Sequence, residues 1–173
     1  IDRQITKNKI RSVVSSVRKG AFPKVHLVHG SLTPDEIASL YNHPKVKCFL
    51  SLTRGEGFGL PLLESAASGL PVLTTNWSAH LDFLKMGKFI PVNYSLIEVP
   101  ESKCDDRIFL KGMKWADPHE MDFKKKIVKL RNKYTMPEQW AADLSEKVRN
   151  TFNSATIMSK YDEVLNTILE SRK

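Results

Sequence analysis

Two glutamates and three glycines stand close together in one stretch of the chain that is suited to bind a hydroxyl-rich ligand. The stretch reads Arg54-Gly55-Glu56-Gly57-Phe58-Gly59-Leu60-Pro61-Leu62-Leu63-Glu64. The carboxylates of Glu56 and Glu64 accept hydrogen bonds well from vicinal hydroxyl groups, and each charge-assisted bond is about twice as strong as a neutral one. The glycines let the backbone approach a ligand closely. Sugar and ribose diols are natural partners of such a stretch.

The same glutamates also have a simpler explanation. Glu56 would then be an ordinary loop residue and Glu64 a solvated position on a helix, as most glutamates are. The place of the stretch, between a predicted strand and a predicted helix, favours a ligand site, because open α/β sheets bind ligands at the carboxyl ends of their strands. The first turn of the helix also presents unpaired amides to an anion or a hydroxyl group.

Short strands and helices alternate along the first half of the chain. Apolar, β-branched runs predict strands at 25–28, 46–52, 71–74 and 89–92. Helical apolar spacing predicts helices at 5–17, 33–41, 60–68 and 78–85. Such alternation with short connections is typical of parallel βαβ units. We therefore expect an open, doubly wound, Rossmann-like α/β fold with helices on both faces of the sheet.

The second half of the chain is predicted to be mainly helical. Residues 93–115 have no clear period, which predicts a long loop or an insertion. Three segments with helical apolar spacing follow at 118–134, 137–151 and 155–171, with Pro137 as a break. The prediction is one domain, 1–173, in which residues 118–173 form a helical C-terminal extension.

The composition excludes several classes of protein. A chain of 173 residues that is 41% hydrophobic can bury one core, and it has no low-complexity run. Its apolar stretches are far shorter than the roughly 20 residues that span a bilayer. Cys48 and Cys104 match neither a disulfide framework nor a zinc pattern, so a reducing cytoplasm is the simplest location.

A net charge of +8 favours an anionic partner, which could be a nucleotide, a nucleic acid or an acidic membrane surface. Much of this charge lies between Lys124 and Lys133, where cations alternate with Ile127, Val128 and Leu130 at helical spacing. This pattern is typical of the solvated face of an amphipathic helix.

The glutamate-bearing stretch resembles the E-x7-E motif of the family 4 glycosyltransferases, which are enzymes of the two-domain GT-B fold. The neighbouring segments follow in a similar order, namely Val28-His29-Gly30, the capped helix from Thr33, the strand ending Ser51-Leu52, and Ser68-Gly69-Leu70-Pro71-Val72. The likeness is specific over about 25–82 and only architectural beyond it. It implies that the chain is the C-terminal, nucleotide-sugar-binding domain of such an enzyme.

The resemblance implies a role for each matched residue. Glu56 would be the catalytic residue that bonds and orients the donor sugar, and Glu64 would bond the ribose of the nucleotide. The other residues expected beside the sugar are Gly57, Phe58, Gly59 and Leu60. Those expected beside the base are Gly30, Ser31 and Leu32. No DxD-type metal pair stands in the motif region, so neither a metal nor a cofactor beyond the nucleotide sugar is expected.

The segment Asn76–Phe83 falls where the family usually carries a glycine-containing loop that flanks the donor, and the glycine is absent here. Trp77 could pack beside the donor, and His80 with Asp82 could bond its hydroxyls or phosphates. In the alternative interpretation Trp77 and Phe83 are core residues and His80 caps the loop.

Two parts of the family pattern are missing. Family members open this domain with a strand ending in a glycine-arginine pair and a following lysine, which neutralise the donor diphosphate. Before Ile5 there is no such strand, and the early cations are Arg3, Lys7 and Lys9. The N-terminal domain that recognises the acceptor is also absent. We therefore expect a fragment that binds a donor more readily than it turns it over.

We therefore expect transfer of a hexosyl group from a nucleoside diphosphate sugar to a carbohydrate, lipid or protein acceptor. The resemblance implies that the configuration at the anomeric carbon is retained. We expect a cytoplasmic protein, with peripheral contact to an anionic membrane preferred over nucleic-acid binding. One alternative is a nucleotide-sugar epimerase or a sugar phosphorylase of the same architecture. Another is a catalytically silent module whose basic helices bind nucleic acid or an anionic membrane.

Overall fold

The computed structural model describes residues 2–171. It divides the chain into two units, Ile1–Ile37 and Ala38–Lys173. In chain order the elements are α1 (Arg3–Val17), α2 (Pro34–Tyr41), β1 (Phe49–Ser51), α3 (Leu60–Ala67), β2 (Val72–Thr75), α4 (Leu81–Leu84), β3 (Ile90–Val92), β4 (Tyr94–Glu98), β5 (Lys114–Pro118), α5 (Glu120–Asn132), α6 (Thr135–Thr151) and α7 (Ser154–Glu170). A short 3-10 helix, Glu101–Lys103, lies between β4 and β5.

Three parallel strands form the larger of the two sheets in the second unit. Strand β2 lies between β1 and β3, with Phe49 opposite Val72 and Leu73 opposite Ile90. Every residue of β2 is buried, as expected of a central parallel strand. Helix α3 connects β1 to β2, and α4 connects β2 to β3. This sheet with its flanking helices and helical C-terminus confirms the Rossmann-like α/β class.

The core of this unit joins α3, β2, α4 and α6. Its buried side chains are Leu62, Ala66, Val72, Phe83, Leu84, Leu144 and Val148. Polar contacts strengthen the α3–α6 packing, since the hydroxyl of Ser145 and the guanidinium of Arg149 both donate to the carbonyl of Ala67 at 2.7 Å. That carbonyl is one of those left free at the C-terminal end of α3. Helix α6 thereby helps to fix the helix that carries Glu64.

The first unit contains α1 and the start of α2, each with a side-chain cap. Asp2 Oδ1 accepts from the amide of Gln4 at 2.7 Å. Before α2, Thr33 and Glu36 form a reciprocal capping box, with side chain to amide distances of 3.2 Å and 2.8 Å. The helix start predicted at Thr33 therefore has its expected capping geometry.

Two predictions of regular structure are wrong. Residues 25–28 are not a strand, and Val25 and Val28 are 58% and 64% exposed rather than buried. A strand requires a hydrogen-bonded neighbour, and within residues 2–171 this segment has none. Residues 93–115 are not one long loop, because they contain β4 and the first two residues of β5, which pair antiparallel. The alternative, an insertion, stays a prediction. Strand β4 is largely exposed, so it lacks the alternation that marks a half-buried strand.

Two helix boundaries also differ from the prediction. The helix expected over 78–85 is shortened to α4, because Ser78 has φ 91° and cannot belong to a right-handed helix. Pro137 does not interrupt a helix but lies in the first turn of α6. A proline is tolerated there, since the amide that it lacks would have no intrahelical partner.

Substituting alanine at Gly87 should destabilise the second unit. A Cβ at this position would lie 3.0 Å from Cβ and 3.2 Å from Cα of Leu144, so the backbone of α6 would have to move. Overpacking of this kind costs about 1–3 kcal/mol in unfolding free energy. Urea denaturation of Gly87→Ala measures the loss. Gly57→Ala is the control, because nothing lies within 4 Å of its added Cβ, and equal stability of the two variants would contradict the expectation.

The Cys48 thiol should be unreactive in the folded protein. Burial raises its pKa to about 11, so the thiol stays protonated near neutral pH and becomes a nucleophilic thiolate only as the pH approaches that value. Alkylation by iodoacetamide at pH 8, followed by mass spectrometry of the Cys48 peptide, should show labelling in urea and almost none in buffer. Equal labelling rates under the two conditions would disprove this.

Candidate functional site

The loop between β1 and α3 is folded by its own polar groups and by glycine. The hydroxyl of Thr53 donates to the carbonyl of Gly55 at 2.9 Å and accepts from its amide at 3.3 Å. Gly59, the N-cap of α3, has φ 88°, and a Cβ there would lie 3.1 Å from Cβ of His80. Both the left-handed backbone and the close approach favour glycine at this position.

Glu56 lies at the middle of this loop and is half-buried. Its amide donates to Ser78 Oγ at 2.8 Å, and the same hydroxyl donates to its carbonyl at 2.7 Å. No hydrogen bond within residues 2–171 uses the amides of the next three residues, Gly57, Phe58 and Gly59. A half-buried glutamate therefore adjoins this run of amides at the N-terminus of a helix, an arrangement that can accept from hydroxyls and donate to anionic oxygens.

Glu64 is the fifth residue of α3 and is exposed. Its Oε2 lies 3.4 Å from the hydroxyl of Tyr41, a long and therefore weak hydrogen bond. Partial burial and then the nearby Glu64 charge raise the pKa of Tyr41, which keeps the phenol protonated as a donor. Tyr41 is held in turn by edge-to-face packing on Phe49, at 6.0 Å between ring centroids. Within residues 2–171 the Glu64 carboxylate therefore has one weak hydrogen-bond partner, and its exposure leaves it accessible to a ligand.

Phe58 and Leu60 differ in their surroundings. The Phe58 ring packs on Phe83 and Phe152, at 5.5 and 6.1 Å between centroids, although 40% of the residue stays exposed. Leu60 begins α3 and is 58% exposed. The aromatic contacts anchor the loop to the core, while Leu60 presents an apolar surface at the N-terminus of α3.

The segment after β2 places Trp77 and His80 differently. Trp77 is half-buried and packs on Tyr94 of β4, with 5.3 Å between ring centroids. His80 is fully buried, and its Nε2 donates to the carbonyl of Thr75 at 2.8 Å. Phe83 belongs to the core. His80 therefore supports the loop from beneath Gly59.

The antiparallel pair β4–β5 contributes contacts to the loop that sequence reasoning missed. Arg54 forms a 2.7 Å ion pair with Asp117, and its guanidinium lies 4.7 Å from the ring centroid of Trp115. The amide of Ala116 donates to the carbonyl of Arg54 at 3.0 Å. The Trp-Ala-Asp-Pro run at 115–118 carries these contacts. The sequence did not predict a strand there, because the predicted loop ended at Trp115 and the predicted helix began at Pro118. Strand β5 thus holds the N-terminal side of the loop.

The remaining predicted residues belong to the unit Ile1–Ile37. Gly30 has φ 129°, and Ser31 and Leu32 are exposed. The early cations Arg3 and Lys7 line a groove that runs along α1. Lys9 is an exposed residue of the same helix.

Neither a metal site nor a membrane span is found within residues 2–171. No group of three His, Cys, Asp or Glu side chains there is arranged to hold a metal ion. No helix in this part of the chain combines the length and apolar character that crossing a bilayer requires.

Comparison with known proteins identifies a family. The family model described as Glycosyl transferases group 1 matches residues 17–103, just over half of the 173-residue chain. No curated protein matches the chain. The matched region contains the loop with Glu56, helix α3 with Glu64, and the segment with Ser78 and His80.

Proposed function

We propose, on the premise that this chain belongs to the group 1 glycosyl transferases, that it forms the donor site of a family 4 hexosyltransferase. Membership makes it a glycosyltransferase domain that uses a nucleotide-sugar donor and an acceptor. The observation that carries the finer proposal is the β1–α3 loop. Half-buried Glu56 lies there beside amides that have no hydrogen-bond partner within residues 2–171, and exposed Glu64 lies on the helix that follows. The chain would be the C-terminal half of a GT-B fold.

The proposed roles follow from the chemistry of each group. Glu56 accepts hydrogen bonds from the hexose hydroxyls and so fixes the sugar for transfer, while Glu64 accepts from the ribose diol. The amides of Gly57, Phe58 and Gly59 bond the donor sugar, and those from Phe58 onward also favour the charge that develops on the leaving diphosphate. A helix N-terminus stabilises an anion by about 0.3–2 kcal/mol, which assists departure of the leaving group without accounting for catalysis. Leu60 borders the sugar. The sequence-based assignment of Gly30, Ser31 and Leu32 to the base stays a prediction.

Transfer itself requires a second domain in this proposal. Oriented reactants and a water-poor cleft account for much of the barrier reduction in group transfer, and a single open loop supplies neither. We propose that an acceptor-binding domain closes over the β1–α3 loop, and that the configuration at the anomeric carbon is retained. Release of free nucleoside diphosphate only when an acceptor is supplied distinguishes this reaction from epimerisation of the donor.

Calorimetric titration of the chain with UDP, GDP and ADP, and with UDP-glucose, GDP-mannose and ADP-glucose, tests the donor site. Saturable binding of one nucleotide series is expected and would identify the base. Failure of all six compounds to bind, both to this chain and to a protein that includes the acceptor domain, would overturn the proposal.

Helix α5 supports a second proposal, peripheral contact with an anionic membrane. Met121 and Val128 are 75% and 56% exposed, and with Lys125 they recur at the i, i+4, i+7 spacing of one helix face. Apolar side chains interspersed with exposed lysines favour binding to a surface of anionic lipid. We expect the chain to sediment with phosphatidylserine vesicles at low salt but not with phosphatidylcholine vesicles.

Charge reversal tests whether α5 makes this membrane contact. Lys125→Glu should weaken sedimentation several-fold, whereas Lys160→Glu on α7 serves as the control and should not. Equal loss in the two variants would mean that α5 is not the contact surface.

A further inference from the structure

Ser78 adopts a backbone conformation that serine rarely takes. Its φ of 91° lies in the left-handed region, which only one other non-glycine residue, Asp106, enters within residues 2–171. Such a conformation persists when surrounding contacts fix it, and it is common at functional sites. The contacts of Ser78 therefore indicate what holds it in this conformation.

Those contacts lead to Glu56. The Ser78 hydroxyl accepts from the amide of Glu56 at 2.8 Å and donates to its carbonyl at 2.7 Å. Both distances lie within the usual range for hydrogen bonds of these types. One hydroxyl thus engages both backbone groups of the residue that carries the carboxylate, which restrains its backbone on either side of Cα.

A second contact between the same two segments makes this restraint rigid. Buried His80 lies against the Cα of Gly59, where an added Cβ would be 3.1 Å from that of His80. His80 is itself bonded to the carbonyl of Thr75, at the end of β2. The loop is therefore supported at Glu56 and at Gly59 by one segment anchored in the central strand.

We propose that Ser78 is a positioning residue that sets the Glu56 carboxylate toward the donor sugar before the donor binds. This inference rests on the proposed function, because it acts through the sugar-binding role of Glu56. A glycine would adopt φ 91° without strain but would leave the two backbone groups of Glu56 unheld. Serine accepts that strain and supplies the bonds, and a group held in its productive geometry binds more strongly than one that must be ordered on binding.

The test compares Ser78→Gly with wild type in calorimetric titrations against the nucleoside diphosphate that binds and against its hexose conjugate. We expect the affinity for the conjugate to fall about tenfold, with less than twofold change for the free diphosphate. The melting temperature should change little, because relief of the strained φ offsets the lost hydrogen bonds. Ser68→Ala is the matched control, since it removes a 2.8 Å hydroxyl bond to the carbonyl of Glu64, and both affinities should stay unchanged.

A double-mutant cycle with Glu56→Gln separates positioning from a general effect on the fold. If Ser78 acts through Glu56, adding Ser78→Gly to Glu56→Gln should cause no further loss of conjugate affinity. Additive losses, or an unchanged affinity in Ser78→Gly alongside a clear loss in Glu56→Gln, would overturn this inference and leave the proposed function standing. Absence of any effect of Glu56→Gln on conjugate affinity and on kcat/KM for transfer would overturn both.

Discussion

Replacement of Glu56 by glutamine should lower kcat/KM for hexosyl transfer by about a hundredfold in the protein that includes the acceptor domain. The amide keeps the size of the side chain but removes the charge, and hydrogen bonds to charged groups contribute about 1.5–3 kcal/mol. A loss of about 2.8 kcal/mol corresponds to the expected factor. Initial rates of nucleoside diphosphate release, measured over a range of donor concentrations, supply the two constants.

The division of this loss between kcat and KM reports when Glu56 acts. A lower kcat with little change in KM would place its bonds mainly in the transition state. Glu146→Gln, on the exposed face of α6, is the matched control and should leave both constants unchanged. An unaltered kcat/KM in Glu56→Gln would remove Glu56 from the proposed site.

Glu64→Ala should weaken nucleotide binding by a factor of about 10–100, with the same factor for the free diphosphate and its sugar conjugate. The equal factor follows because Glu64 is proposed to bond the ribose, which both ligands contain, and each lost charge-assisted bond costs about 1.5–3 kcal/mol. Calorimetric titration measures the two affinities. This signature differs from that of Glu56, whose loss should affect the conjugate alone.

A 2′-deoxynucleoside diphosphate tests whether Glu64 binds the ribose. The wild-type chain should bind it more weakly than the ribonucleotide, while Glu64→Ala should no longer distinguish the two. Tyr41→Phe is the control, because its 3.4 Å bond to Glu64 is weak and its loss leaves the carboxylate in place. Persistent discrimination in Glu64→Ala would show that another residue reads the ribose.

The local pattern of the sequence determined the parallel core and the place of the candidate loop. Strands β1, β2 and β3 and helix α3 were predicted within a few residues, because burial of a short strand and of one helix face imposes a local period on the apolar residues. Helix α6 was predicted for the same reason. The glycines between a strand and a helix were enough to predict the place of the Glu56 loop.

Tertiary structure alone decided what holds that loop. Ser78 is 22 residues from Glu56, and Arg54 pairs with Asp117 across 63 positions of the chain, so neither contact has a local signature. Strand β4 lacked alternation because it has little buried face, and residues 25–28 formed no strand because no segment within residues 2–171 pairs with them. Hydrogen bonds and ion pairs between distant segments depend on where folding places both partners. The spacing of apolar residues along the sequence depends only on which side of one helix or strand is buried.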